Sequence, residues 1–183
     1  MEQNVVSSDE KSYEQIINEL IEKYNTMVFN LIYKITTNYD DALELTQETF
    51  LKAFQALPGF RFESSMKTWI YKIAVNVALN YKRKTKLFHK KEDPLLDASL
   101  KDKDHSPEEN ASQGQMRDRI LHAFDELPPD MKAMVLLREI EELTYEEIAQ
   151  VLSLPIGTVK SRLARARCYL KKSLSTYYRG DKL

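Results

Sequence analysis

A single cysteine, Cys168, stands in 183 residues, so no disulfide framework can staple the chain and a reducing compartment suits it. A buried structural thiol is its expected role. Only four glycines are present, too few for the turn-dense connections of an all-β fold, which points to helices. No apolar run approaches the roughly 18 residues that a membrane span needs. The opening stretch "MEQNVVSSDEK" is polar and acidic where a secretion signal would be basic and then apolar, so a soluble, cytoplasmic protein is expected. The formal net charge is only -1, which excludes a uniformly basic chain and confines any polyanion-binding surface to a local patch. His89, His105 and His122 lie apart, with no carboxylate or cysteine at ligand spacing. No glycine-rich phosphate loop exists and no nucleophile-base pair suggests itself, so neither enzyme, metal nor cofactor is expected.

What is present is helical periodicity. Ile16, Leu20, Tyr24, Met27, Leu31 and Ile35 mark one face of a first helix, widened by Ile17, Ile21, Val28 and Ile32. After the break "TTNYDD", Asp40 can cap a second helix with Leu43, Phe50, Ala53 and Leu57 inward, ended by Pro58-Gly59. A third helix starts near Ser65 with the stripe Met66, Trp69, Ile70, Ile73 and Val77, and runs into six Lys or Arg between positions 82 and 91. Residues 91–112 lose the periodicity and carry seven acids against three lysines, which reads as an extended linker. The expected organisation is all-α: a helical domain over 13–90, the acidic linker over 91–112, and a second helical domain over 113–177.

The second domain holds the most specific signal. "LTYEEIAQVLSLPIGTVKSRLARAR" opens with the capping box Thr144-x-x-Glu147. Ser153-Leu154-Pro155 makes a turn, and Pro155 suits the first position of the helix that follows. In that helix Ile156, Val159, Leu163, Ala166 and Leu170 fall on one face, opposite Lys160, Ser161, Ala164 and Arg165, with Arg162 and Arg167 at the flanks. From Gly157 to Arg179 no acidic residue occurs. Two helices joined by a short turn, the second one cationic, describe a DNA-reading helix-turn-helix. An ordinary helical hairpin with a solvated charged face is the plainer alternative.

These residues resemble region 4 of the bacterial sigma-70 family of RNA polymerase initiation factors, in its small extracytoplasmic-function (ECF) class. "DDALELTQETFLKAF" is similar to region 2.2 of that class, and "FRFESSMKTWIYKIAVNVALNYKRK" to its regions 2.3 and 2.4. The resemblance implies a two-domain factor that lends core RNA polymerase its promoter specificity and has no catalytic residues. It assigns Asp41, Glu44, Gln47 and Glu48 to docking on the coiled coil of the largest catalytic polymerase subunit, where charge pattern alone reads as a solvated face. The flap of the second large subunit, promoter DNA and an anti-sigma factor are the further partners it implies.

The third helix and the loop before it interleave rings with cations: Phe60, Arg61, Phe62, Lys67, Trp69, Tyr71 and Lys72. Single-stranded DNA suits such a surface, because bases stack on rings while cations hold the backbone. Trp69 fits both this role and the core stripe. Asn76 and Asn80 sit one turn apart at the stripe's edge, as base-reading amides or as buried, internally satisfied ones. By resemblance, Asn76 helps capture a flipped-out base of the -10 element in a pocket closed by the loop Arg61 to Lys67, which includes Ser64 and Ser65. Lys160, Ser161, Ala164 and Arg165 match the family's readers of the -35 element, and Arg162 and Arg167 fit phosphate contacts. The rival reading is a stand-alone helix-turn-helix regulator with a sensory N-terminal half, which would show a ligand pocket or alternating strands that the sequence does not suggest.

Overall fold

The computed structural model describes residues 8–61, 63–92, 118 and 120–180. Helix α1 spans Ser8–Thr36, α2 Tyr39–Ala56 and α3 Met66–Glu92, with a single 3-10 turn at Leu57–Gly59 between the last two. A short helix α4 follows over 120–125, then α5 Pro129–Glu139, α6 Tyr145–Leu152 and α7 Ile156–Gly180. No strand occurs among the described residues, in line with the expected all-α class. Of the acidic linker expected over 91–112, Lys91 and Glu92 continue α3 and the remainder lies outside the described residues.

α1 buries Ile17, Leu20, Tyr24, Val28, Leu31, Ile32 and Ile35, as its broad stripe requires. It ends where Thr37 turns to a left-handed φ of 61° and donates its amide to Tyr33 O at 2.7 Å. Asn38, not Asp40, caps α2: its Oδ1 accepts the Asp41 amide at 3.0 Å. Asp40 and Asp41 instead occupy the first turn, where the helix dipole favours acids. The inward face of α2 is also rotated from the expected one. Ala42, Leu45, Thr46, Thr49, Phe50 and Ala53 are buried, whereas Leu43 is 46% exposed. The threonines can lie inside because Thr46 Oγ1 donates to Ala42 O and Thr49 Oγ1 to Leu45 O, each at 2.7 Å, leaving neither hydroxyl unpaired. A polar residue that satisfies itself within its own helix is invisible to an apolar pattern.

α3 starts at Met66 with Ser65 as its cap, whose Oγ accepts the Thr68 amide at 3.0 Å. Its buried residues include Ile70, Tyr71, Ala74, Val75, Val77, Ala78 and Leu79. Successive positions such as 77, 78 and 79 point about 100° apart, so α3 is covered on more than one side. α1 and α2 supply one cover, and α5 and α6 supply another. The buried residues accordingly form a continuous cluster from Ile17 in α1 to Ala166 in α7. At its margin Lys82 donates to Thr36 O at 3.2 Å, and burial holds its ammonium below the usual lysine range. The neighbouring Lys132 is itself buried, paired with Asp125 at 2.5 Å.

α6 and α7 are joined as the sequence foretells. Thr144 Oγ1 accepts the Glu147 amide at 3.1 Å while Glu147 Oε2 accepts the Thr144 amide at 2.8 Å. α6 closes with Ser153 at φ 53°, its amide reaching Gln150 O at 3.4 Å and that of Leu154 reaching Ala149 O at 3.0 Å, a Schellman arrangement. The carbonyl of Pro155 then accepts the Thr158 and Val159 amides at 2.9 and 3.1 Å and starts α7. The Thr144 amide, ahead of other causes, holds the Glu147 carboxyl below its ordinary value of 4.5. Thr144→Ala should lower stability by about 1 kcal/mol, read as a drop in denaturation midpoint at neutral pH. Because Glu147 is lowered in the folded chain, its contribution is present above 4.5 and fades as pH falls through the lowered value, so the gap between variant and wild type should narrow in acid.

Candidate nucleic-acid interface

α7 is buried along one edge only. Val159, Leu163 and Ala166 are buried, and Lys160, Ser161, Ala164 and Arg165 all point outward. Ile156, expected on the core side, is the first residue of the helix and is 36% exposed. Cys168 is exposed, which corrects the expected buried thiol: it falls between the inward positions Ala166 and Leu170. Ser161 Oγ donates to Thr158 O at 3.0 Å, and Lys160 lies 5.8 Å from the Tyr145 ring centroid. Arg165 makes no ion pair or hydrogen bond among the described residues. The two flanking cations are engaged within the protein. Arg162 lies 3.7 Å from Asp130, and Arg167 donates from Nε and Nη2 to Glu139 Oε1 at 3.1 and 2.5 Å. That pairing raises the Arg167 guanidinium above its already high ordinary value. Pairs this exposed are worth only about 0–1 kcal/mol and can be exchanged for a phosphate.

The second candidate surface surrounds the start of α3. Gly59, Phe60, Arg61, Glu63, Ser64, Thr68, Trp69, Lys72 and, from α6, Gln150 line a cavity of about 330 Å³. Trp69 packs on Phe60 at 4.9 Å between ring centroids and also lines this cavity. Phe62 lies outside the described residues. Ser65 is committed to capping, while Lys72, Asn76 and Asn80 form an exposed edge at four-residue spacing. Both amides are therefore at the surface, and the buried-amide alternative does not apply. Asn80 Oδ1 accepts from Arg83 at 2.9 Å. Tyr71 is the departure: expected to stack on bases, it is fully buried, and its hydroxyl donates to the Glu141 carboxylate. Burial, and then that acid, push its phenol far above the ordinary value. Lys67 is likewise occupied, donating to Glu141 O at 3.0 Å.

On α2, Glu44 and Gln47 are exposed and Glu48 pairs with Lys52 at 2.7 Å. Asp41 holds the Tyr81 hydroxyl, a bond that, after burial, raises that phenol. Among these polar groups the helix exposes Leu43, Leu51 and Phe54, which share a face with Gln47. The polar face of α2 thus carries an apolar ridge. Three further residues escaped sequence reasoning: Glu141, Tyr145 and Gln150. Tyr145 lies against Arg138, at 4.9 Å, as well as Lys160, and could have been suspected from a ring at the first position of α6. Nothing local to Glu141 or Gln150 announces partners some seventy residues away.

Comparison with known proteins agrees with this geometry. A family model for sigma-70 region 2 matches residues 20–88, and one for sigma-70 region 4 matches 117–168. An ECF RNA polymerase sigma-E factor from Haemophilus influenzae is 34% identical, over 90% of this chain and 88% of its own. The chain belongs to the ECF class of sigma-70 family RNA polymerase sigma factors. The RNA polymerase sigma-H factor of Pseudomonas aeruginosa is 33% identical, over 97% of this sigma factor and 96% of its own length. The fold matches the sigma factor RpoE of Bartonella quintana, solved in complex with the anti-sigma factor NepR, with a TM-score of 0.68 at 23% identity over 86% of this chain and 96% of that one. It also matches CnrH, solved with the cytosolic domain of CnrY, at 0.64 and 18% identity over 89% and 90%. Family membership decides for a transcription initiation factor against the stand-alone regulator. No described helix is long and apolar enough to cross a membrane.

The engaged state of Arg167 generates a test. In this sigma factor Glu139→Gln should weaken the hold on Arg167 and tighten binding to every duplex alike, steepening the salt dependence by up to about one unit, as measured by fluorescence anisotropy across a salt series. An unchanged affinity would mean that the pair does not stand in the way of DNA.

Proposed function

We propose that this sigma factor reads the -35 element with the outer face of α7 and melts and captures the -10 element along α3 and the loop 61–67, while α2 docks on core RNA polymerase. The observation that carries the reading is the acid-free face of α7. Lys160, Ser161, Ala164 and Arg165 are presented together by the second helix of a helix-turn-helix, and Arg165 has no competing partner. A free guanidinium in a major groove donates in bidentate fashion to a guanine edge. Ala164 offers a methyl contact rather than a hydrogen bond, so it suits a thymine methyl. Arg162 and Arg167 exchange Asp130 and Glu139 for phosphates and position the helix.

Along α3 the exposed Lys72, Asn76 and Asn80 supply a backbone cation and two amides that can donate to and accept from one base edge. The cavity beside Trp69 is where an extruded base would lodge, stacked against the indole and offsetting the few kcal/mol that flipping requires. On α2, Glu44, Gln47 and Glu48 with Leu43 and Leu51 present the mixed apolar and acidic surface that a coiled coil of the largest catalytic subunit would grip, and the C-terminal helices meet the flap of the second. The function is one of binding and strand separation, with no chemistry catalysed by this chain, and its place is the cytoplasm, with the chromosome and polymerase. The likeness to folds solved with NepR and with the CnrY cytosolic domain supports an anti-sigma factor as a further partner.

Two substitutions test the assignment in holoenzyme. Asn76→Ala, at an exposed position, should leave thermal stability within about 0.5 kcal/mol. It should impair open-complex formation on duplex promoters, as followed by permanganate footprinting, and a template already mismatched at the -10 element should relieve much of the defect. Normal melting by this variant would remove Asn76 from the site. Arg165→Ala should cost roughly 1–3 kcal/mol on the best -35 sequence and flatten the preference at one or two positions. A uniform loss across all -35 variants would reduce Arg165 to a phosphate contact.

A further inference from the structure

We infer that Tyr145, on α6 rather than on α7, is a positioning residue for base reading by Lys160, an inference that rests on the assignment of α7 to the -35 element. Lys160 Nζ lies 5.8 Å from the centroid of the Tyr145 ring, within the range in which the negative face of the ring attracts a cation. Lysine is a point charge on a flexible four-carbon stem, so an unanchored ammonium near the start of α7 can swing between base edges and the phosphates beside them. The ring narrows that choice. Of the outward residues, Ser161 donates its hydroxyl hydrogen to Thr158 O and Ala164 has no polar side chain, so Lys160 and Arg165 carry the charged contacts. Arg165 has no partner among the described residues, and its direction is left to DNA. The direction of Lys160 is set from a neighbouring helix.

The ring is itself a fixed support. Tyr145 opens α6 directly after the reciprocal bonds of Thr144 and Glu147, at 3.1 and 2.8 Å, which set the course of the backbone there. Arg138 of α5 lies 4.9 Å from the same ring, and its guanidinium donates to the Leu143 carbonyl at 2.7 Å. The Arg167 guanidinium is stabilised first by Glu139 and second by the Tyr145 hydroxyl. Three cations from α5 and α7 thus gather around one half-buried ring. Of the three, Lys160 alone has no hydrogen-bond acceptor among the described residues. An aromatic face orients an ammonium without occupying its N–H donors, as a carboxylate would. Lys160 therefore meets DNA with its direction set and its donors free, and less side-chain entropy is left to lose when it contacts a guanine O6 or N7.

Holoenzyme and a promoter library randomised at the -35 positions test this, with preference read as the ratio of bound sequences. Lys160→Ala marks the base pair that Lys160 reads, and Arg165→Ala marks its own. Tyr145→Leu should lower the preference at the Lys160 base pair about two- to five-fold, the scale of an exposed cation–π contact, and leave the Arg165 base pair unchanged. Tyr145→Phe, which keeps the ring, should retain both preferences. Phenylalanines carrying one, two and three ring fluorines at position 145 weaken the attraction for cations with little change of shape, so folding is kept and the Lys160 preference should fall along the series. In a Lys160→Ala background Tyr145→Leu should flatten nothing further. A flat fluorine series, a Tyr145→Phe variant as poor as Tyr145→Leu, equal losses at both base pairs, or no base pair marked by Lys160→Ala would each overturn the proposal. The assignment of α7 is judged apart, by Arg165→Ala: a preference lost there with no effect of position 145 removes Tyr145 and leaves the assignment standing.

Discussion

Helix α3 buries residues 70, 71, 74, 75, 77, 78 and 79, a set that no single helical face can hold. It must be covered by α1 and α2 on one side and by α5 and α6 on another, and most of the remaining arrangement follows from that requirement. The edge left to solvent narrows to Lys72, Asn76, Asn80 and the residues of the preceding loop. The second cover also brings acidic groups of the C-terminal half, Glu141 and Glu147, onto donors of the first. A helix that completes a core on two sides keeps few positions at the surface, and Tyr71, in a stretch that interleaves rings with cations, is drawn inside.

α7 faces no such conflict. Its buried edge is narrow, built from Val159, Leu163 and Ala166, and everything else is free to carry charge. Stability of that half is assembled elsewhere: in the reciprocal bonds of Thr144 and Glu147, in the Schellman closure at Ser153, and in the apolar contacts of α5 with α6 and α7. The cations of α7 contribute little to folding, because exposed ion pairs such as Arg162 with Asp130 are nearly neutral in free energy. They are thereby available to a partner of opposite charge at small internal loss.

The electrostatic design differs between the two surfaces in a way that total charge conceals. A formal net charge of -1 conceals local segregation, with an acid-free stretch from Gly157 to Arg179 and an acidic segment at Glu139, Glu141 and Glu142 just upstream. That segment meets cations on both sides of it, Arg167 through Glu139 and Lys67 through the Glu141 carbonyl. One short acidic segment therefore touches both candidate surfaces.

Local pattern was enough for much of this. Periodicities of three and four specify the helices because a helix buries one stripe, and the α6–α7 unit was legible in detail because its capping box, turn and cationic face all depend on residues within a few positions of one another. The same locality explains the errors. The inward face of α2 was misplaced at Leu43 because Thr46 and Thr49 satisfy their hydroxyls within the helix and pass as core, and Asn38 outcompeted Asp40 as the cap. Cys168 was misjudged from composition, when its register already placed it between Ala166 and Leu170. Tertiary structure alone decided that Tyr71 is buried against Glu141, that Arg167 is engaged and Arg165 is free, and that Gln150 borders the cavity beside Trp69. Those outcomes depend on contacts between helices distant in sequence, some seventy positions for Tyr71 with Glu141 and 28 for Arg167 with Glu139, that no short-range spacing encodes.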